Sequence, residues 1–227
     1  MRHAEVEYYA DPARPVAATA VAITARGVEQ ARAAGRALAA IQFDRVITSG
    51  LPRTDQTALA VVQQLSNAPR DPVFETWPEL QEIRHGPLED FPTDQLADAF
   101  LRPFRGRPPM DATYCGGEAV GSLLTRVSAA MERLYDDDSW HTILIVAHGG
   151  TNRAILSWVL TGGAAFFGHF EQSFACINII DGDPAHLIVR ATNHVPRDPV
   201  HASTRASTVE LILEQYLDYR AAAKAAS

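Results

Sequence analysis

The sequence predicts a single α/β domain over residues 1–227: a three-layer α/β/α sandwich around a mostly parallel central sheet. Two observations support this fold class. Segments with helical apolar periodicity alternate with short β-branched runs along the chain. The run Thr142–Ala147 is apolar on both faces, which is typical of a parallel strand buried between two helical layers. The length suits one sizeable domain, and no repeat or linker interrupts it.

In the first half of the chain, apolar residues recur at helical spacing, β-branched residues form a short strand, and a proline suits the first turn of a helix. The predicted elements are a loop over Asp11–Ala20, a helix over Arg26–Ala40, a strand over Asp44–Thr48, a helix that starts near Pro52 and an extended stretch over Val73–Glu75.

The second half begins with residues 84–116, which are rich in Pro and Gly and predict an irregular excursion over the functional site, with a short helix at Asp94–Phe100. The remaining predicted elements are a helix over Glu118–Leu134, a strand over Thr142–Ala147, a helix from Thr151 that stops at Gly162–Gly163, a hairpin of Phe174–Ile180 and His186–Thr192, and a final helix from about Thr208.

The composition excludes several function classes. Apolar residues make up 47% of the chain and charged residues 21%, which is ordinary for a globular protein. A net charge of −7 argues against a nucleic-acid or anionic-membrane partner. Two cysteines, Cys115 and Cys176, form neither a disulfide framework nor a metal site. Without a signal peptide or a membrane-length apolar run, we expect a soluble cytoplasmic protein.

Polar groups follow the predicted strands, where open α/β sheets place their sites. Ser49–Arg53 follows one strand, and His148-Gly149-Gly150 follows another. The two glycines let the backbone approach a ligand closely, and the helix behind them presents free N–H groups to an anion. Taken alone, His148 would be a hydrogen-bonded core histidine and Arg53 a surface ion-pair partner. Together with Arg2–His3, they indicate an anion site.

Six segments resemble, in order, the motifs of the histidine phosphatase superfamily, the phosphoglycerate mutase-like proteins. One segment alone would be weak, but six in the family's order are very unlikely to arise by accident. The segments are Arg2-His3-Ala4-Glu5, Ile23–Ala31, Thr48–Ala58, Leu80–Glu89, Gly117-Glu118 and Val146–Gly150.

The resemblance implies a metal-independent phosphomonoesterase that acts through a phosphohistidine on a small phosphorylated metabolite. It implies no cofactor and no metal, because fixed cations neutralise the phosphoryl group. The catalytic residues it implies are His3 as nucleophile, Glu82 as acid and then base, and His148. The implied phosphate-binding residues are Arg2, Arg53, His148 and Gly149. Tyr9, Arg84, His85 and His194 are the candidate substrate-binding residues at the mouth.

Other basic residues of the excursion, Arg102, Arg105 and Arg107, either attract an anionic substrate tail or form a solvated basic face. The sequence does not decide between these two interpretations. It also leaves open an edge-to-edge homodimer through the hydrophobic hairpin.

The sequence leaves two alternative functions open. One is a phosphoglycerate mutase-type phosphoryl transferase, which the loop-sized excursion disfavours because those mutases carry a long insertion there. The other is a catalytically impaired phosphate-binding module. If the chain begins at Met1, Arg2–His3 lacks the strand that should lead into it, and we then expect this pair to fray.

Overall fold

The computed structural model describes residues 1–10, 16–183 and 185–226, so residues 11–15 of the predicted loop Asp11–Ala20 lie outside the described part. A parallel sheet forms its centre. The strands β1 (Arg45–Thr48), β2 (Glu75–Thr76) and β3 (Ile143–Val146) lie in the order β2-β1-β3. The predicted α/β class with a parallel sheet is confirmed. The extended stretch predicted at Val73–Glu75 pairs two residues later than expected.

The chain start extends this sheet, and the prediction that Arg2–His3 frays is wrong. Ala147, just after β3, donates its N–H to the Met1 carbonyl at 2.9 Å and accepts from the His3 N–H at 2.9 Å. On the other side, the Arg2 N–H donates to the Cys176 carbonyl at 3.1 Å. Backbone hydrogen bonds on both sides thus hold the segment, and Arg2 and His3 are 3% and 0% exposed.

The predicted hairpin is confirmed, with strands that begin later than expected. The strands β4 (Ile177–Asp181) and β5 (Ile188–His194) pair antiparallel. Residues 174–176, predicted to belong to the first hairpin strand, lie beside the chain start instead. The hairpin strands themselves form a separate two-stranded sheet.

Within the described residues the chain forms six α-helices: α1 (Ala25–Ala37), α2 (Pro52–Val62), α3 (Thr93–Leu101), α4 (Val120–Tyr135), α5 (Gly149–Thr161) and α6 (Thr208–Ala226). Each predicted helix is present, although α1 ends three residues early and α5 begins at Gly149 instead of Thr151. Gly162 ends α5 in the left-handed conformation (φ 59°), which glycine adopts at little cost. No helix of the described part is long and apolar enough to cross a membrane.

The helices form a layer on each face of the sheet. Alternating side chains of β3 show this arrangement: Leu144 and Val146 pack with α1 and α2, whereas Ile143 and Ile145 pack with α4 and α5. A third apolar cluster joins α3 to α6 through Phe100 and Leu213. This cluster places α6 and the excursion together over the carboxyl ends of the strands.

Candidate active site

Two histidines from distant parts of the sequence meet at the carboxyl end of the sheet. His3 follows the chain start, His148 follows β3, and both side chains are fully buried. Their ring centroids lie 5.2 Å apart, with 61° between the ring planes. The backbone pairing of Met1–His3 with Ala147 produces this contact, because it aligns the ends of two adjacent strands.

The His3 ring is oriented by its own neighbour in the chain. Its Nδ1 lies 2.8 Å from the Ala4 carbonyl oxygen, so Nδ1 carries the proton and donates it. Nε2 then keeps its lone pair, and the Tyr8 hydroxyl lies 3.5 Å from it. Burial, and then the charges of Arg2 and Arg53, hold the His3 pKa well below the ordinary histidine value. The ring is therefore a neutral imidazole with an available nitrogen.

Two buried guanidiniums flank the histidines. Arg2 donates through Nη1 to the Gln172 carbonyl, and Arg53 donates through Nη1 to the Ala18 carbonyl at 2.7 Å. These bonds orient the planar groups, and both arginines are about 3% exposed.

The second histidine has one bound and one free ring nitrogen. His148 Nε2 lies 2.8 Å from the Ser49 hydroxyl. In the part of the chain that the structure describes, its Nδ1 is buried without a hydrogen-bond partner, as are Nε of Arg2 and Nε of Arg53. Burial, followed by the charges of Arg53, His3 and Arg2, lowers the His148 pKa. Buried polar groups are nearly always satisfied, so three such nitrogens in one place indicate a ligand that supplies acceptors.

The carboxylate of Glu82 caps the start of α5. It accepts the Gly150 N–H at 2.9 Å through Oε1 and at 3.2 Å through Oε2, and it also accepts the Ile83 N–H at 2.9 Å. A Cβ at position 150 would lie 2.6 Å from Oε1, so a side chain there would displace the carboxylate. Glu82 accepts the N–H of Gly150 in the first turn of α5, so the helix needs no cap from a side chain of its own. This explains why α5 begins earlier than predicted.

A cavity of about 340 Å³ opens above these groups. Its volume lies within the usual range for small-molecule sites. The side chains and backbone that line it come from the chain start, the ends of the strands, the excursion and α6. They are Arg2, Tyr8, Tyr9, Ala18, Thr19, Leu51, Arg53, Gln81, Glu82, Ile83, Arg84, His85, Phe104, Tyr114, Gly149, Gly150, Arg153, Val209 and Ile212.

Three of the four predicted mouth residues line this cavity, namely Tyr9, Arg84 and His85. The fourth, His194, is not among the lining residues; it lies exposed at the end of β5, where it pairs with Ile177.

The basic residues of the excursion do not gather in the cavity. Arg102, Arg105 and Arg107 are exposed and absent from its lining, which favours the solvated basic face. The Arg84 side chain reaches the rim but is 79% exposed, and its Nη2 lies 3.8 Å from a Glu118 oxygen.

Sequence reasoning missed a third buried guanidinium, Arg153. It is 3% exposed, lines the cavity and donates from Nε to the Gly168 carbonyl at 2.9 Å. Its Nη2 lies 3.5 Å from Glu171, and burial lowers its pKa to about 10. The available signal was its position four residues after Gly149, which puts both on one face of α5.

Comparisons with known proteins agree with this geometry. The family model described as "Histidine phosphatase superfamily (branch 1)" matches residues 1–195. The adenosylcobalamin/alpha-ribazole phosphatase of Escherichia coli (strain K12) is 26% identical over 173 residues, which cover 75% of this chain and 83% of that protein. The 2,3-bisphosphoglycerate-dependent phosphoglycerate mutase 2 of Gloeobacter violaceus is 29% identical over 148 residues, or 61% of this chain and 64% of that protein.

A solved structure shows the same fold. The crystal structure of the alpha-ribazole phosphatase from Shigella flexneri superposes with a TM-score of 0.62 at 24% identity, covering 85% of this chain and 94% of that one. The family model spans far more than half of the chain and confirms the resemblance seen in the motifs. This protein belongs to the histidine phosphatase superfamily, branch 1.

Proposed function

We propose that this histidine phosphatase hydrolyses small phosphomonoesters without a metal, through a phosphohistidine at His3. One observation carries the proposal: three buried nitrogens have no partner in the described structure, and they belong to His148, whose ring lies 5.2 Å from that of His3, and to Arg2 and Arg53, whose charges act on His3. A phosphomonoester brings about two negative charges and several acceptor oxygens, which match this donor set.

In the first step, His3 Nε2 attacks phosphorus in line with the ester oxygen. The N–P bond forms as the O–P bond breaks, Arg2 and Arg53 neutralise the charge on the phosphoryl oxygens, and His148 donates a hydrogen bond from Nδ1 to them. Glu82, on the cavity lining next to Gly150, gives a proton to the leaving alcohol oxygen. The neutral state of His3 is essential here, because a protonated imidazole has no lone pair with which to attack.

In the second step, water attacks the phosphorus of the phosphohistidine. Glu82 takes the proton of this water, the N–P bond breaks, and inorganic phosphate leaves with His3 restored. The bond from Nδ1 to the Ala4 carbonyl, 2.8 Å long, holds the ring in one orientation through both steps.

A mutase would have to hold a second phosphate while the first is on His3. Besides Arg2 and Arg53, the described arginines that line the cavity are Arg153, which is paired with Glu171, and Arg84, which is largely exposed. The donor set therefore favours hydrolysis.

The experiment is a hydrolysis assay with p-nitrophenyl phosphate in the presence of a chelator, repeated with His3→Ala. We expect turnover that resists the chelator and is lost in the variant, and a matched His141→Ala variant, at an exposed position, should keep the wild-type rate. Chelator-sensitive turnover would overturn the metal-free mechanism. Interconversion of phosphoglycerates that requires a bisphosphate primer would support the mutase, and binding of vanadate without turnover would support the phosphate-binding module.

A further inference from the structure

The cavity has two chemically different parts. We call its charged base the floor: Arg2, Arg53, Gly149 and Arg153, with His3 and His148 beneath them. We call its apolar side the wall, and its residues are Leu51, Ile83, Phe104, Tyr114, Val209 and Ile212. The floor and the wall line the same cavity.

The aromatic residues of the wall are held in fixed positions. The rings of Phe104 and Tyr114 lie 5.3 Å apart at 70°, and Phe100 packs against Tyr114 at 5.2 Å and 77°. The Arg153 guanidinium lies 5.0 Å from the Phe104 ring and joins the wall to the floor. Edge-to-face packing of this kind orients the rings before a ligand arrives.

The helix α6 completes the wall with Val209 and Ile212, which are three residues apart and share one helix face. The start of α6 is fixed, because Thr208 donates its N–H and its hydroxyl to Glu171 at 3.0 and 2.5 Å. Farther along, Arg220 donates to the Phe91 carbonyl at 2.8 Å. The family model matches residues 1–195, and α6 lies outside this range. Val209 and Ile212 are therefore not part of the family match.

Among the described residues, the basic side chains that line the cavity above the floor are Arg84 and His85. His85 is exposed, and its Nδ1 lies 2.6 Å from the Gly86 carbonyl oxygen. Arg84 is 79% exposed and lies near Glu118, and Arg153 is already paired with Glu171 and the Gly168 carbonyl. Placing an ion against the wall removes its hydration without compensation, which is costly.

We propose that the wall selects phosphomonoesters of uncharged, ring-bearing apolar alcohols over those that carry a second anionic group. This inference rests on the proposed function. The apolar part of such a substrate packs on Phe104, Val209 and Ile212 while its phosphate occupies the floor.

The test compares three esters of primary alcohols, chosen to limit differences in leaving-group chemistry: ethyl phosphate, 2-phenylethyl phosphate and 3-phosphonooxypropanoate. We expect 2-phenylethyl phosphate to have a kcat/KM on the order of tenfold or more above ethyl phosphate, since burial of a phenyl group contributes at least that much. We expect the carboxylate ester to fall below ethyl phosphate. Equal values for all three, or preference for the carboxylate, would overturn the proposal.

A pair of variants on α6 locates the effect. Ile212→Ala removes side-chain volume from the wall and should reduce the preference for 2-phenylethyl over ethyl phosphate about threefold to tenfold. Leu211→Ala shortens the neighbouring side chain, which does not line the cavity, and should leave the preference unchanged. Equal losses in both variants would show that the wall does not choose the substrate.

Binding of phosphonates separates this proposal from the proposed function, because phosphonates are not hydrolysed. Calorimetric titration with 3-phenylpropylphosphonate, propylphosphonate and 4-phosphonobutanoate should give the tightest binding for the phenyl compound. If no ester is turned over but the phosphonates bind in this order, the proposed hydrolysis is wrong and the proposed selectivity of the wall is supported. If turnover depends on His3 but the phosphonates do not bind in this order, the proposed hydrolysis is supported and the proposed substrate class is wrong.

Discussion

The floor and the wall of the cavity differ in how the chain builds them. Groups on and beneath the floor, such as His3, Arg53 and His148, follow segments of the central sheet or begin the helix after it, and all lie within the residues that match the family. The wall draws Phe104 and Tyr114 from the excursion and Ile212 from a helix beyond those residues. Under the proposed function, the chemistry of this enzyme and its choice of alcohol are encoded in separate parts of the chain. Changes to the floor should therefore affect all substrates alike, whereas changes to the wall should separate them.

The largest effect is expected for His3→Ala. Removal of the attacking nitrogen should lower kcat by about 10⁴-fold to 10⁶-fold for every ester, as for other nucleophile deletions. Steady-state assays with ethyl and 2-phenylethyl phosphate measure this, with circular dichroism to show that the variant is folded. A residual rate above one tenth of wild type for either ester would remove His3 from the mechanism.

Arg53→Ala should lower kcat/KM by about 10²-fold to 10³-fold, because it removes a donor aimed at the developing charge of the transition state. The matched control is Arg32→Ala, which breaks an exposed pair with Glu29 at 2.8 Å. We expect the control to match wild type. If Arg53→Ala kept full kcat/KM, the floor as described would be wrong.

Glu82→Gln tests proton donation to the leaving alcohol. It should cost about 10²-fold for ethyl phosphate, whose alcohol needs a proton, and less than tenfold for p-nitrophenyl phosphate. Glu79→Gln, a neighbour that pairs with Arg133 at 2.9 Å, serves as the control. Equal losses on the two esters would contradict an acid role for Glu82.

Tyr8→Phe should have a smaller effect, about tenfold or less, which is the scale of one hydrogen bond. The Tyr8 hydroxyl lies 3.5 Å from His3 Nε2, and burial raises the Tyr8 pKa, so the group stays a neutral donor to the phosphoryl oxygens. Although Tyr8 lines the cavity, this hydroxyl faces the floor. The loss should therefore be the same for ethyl and 2-phenylethyl phosphate, and a loss confined to one ester would assign Tyr8 to the wall.

The smallest change is expected in the titration of the two buried histidines. Because the pKa of His3 and that of His148 are both lowered, each ring binds a proton only at a pH below the ordinary histidine range. Their imidazole NMR shifts should stay constant from pH 8 to 6.5, while free imidazole in the same tube titrates. Added phosphate should move both titrations to higher pH, since its negative charge favours the imidazolium. Titration near pH 7 without phosphate would contradict neutral rings.

The fold was largely predictable because local patterns determine its helices. The apolar stripe of α4, including Leu123, Val127 and Met131, is buried as its spacing predicted. The support of the chain start was not predictable, because it depends on hydrogen bonds to Ala147 and Cys176, far away in sequence. A single residue before Arg2–His3 gave no local signal of a strand.

Site residues were predictable from the sequence where a motif marks the end of a strand. Residues whose position depends on tertiary packing were not predictable. His148 and Gly149 follow β3 directly, so the pattern located them. The position of His194 depends on where the hairpin lies relative to the sheet, and the contribution of Ile212 depends on the anchoring of α6 by Glu171. Neither arrangement has a signature in local sequence.

Acid-labile phosphate on His3 tests the central claim most directly. Enzyme mixed with excess 2-phenylethyl phosphate, quenched in alkali within milliseconds and analysed by mass spectrometry of its peptides, should carry one phosphoryl group on the N-terminal peptide, on the imidazole of His3. The label should disappear as the substrate is exhausted. Turnover without any phosphorylated peptide, or with the phosphoryl group on His148, would contradict the account.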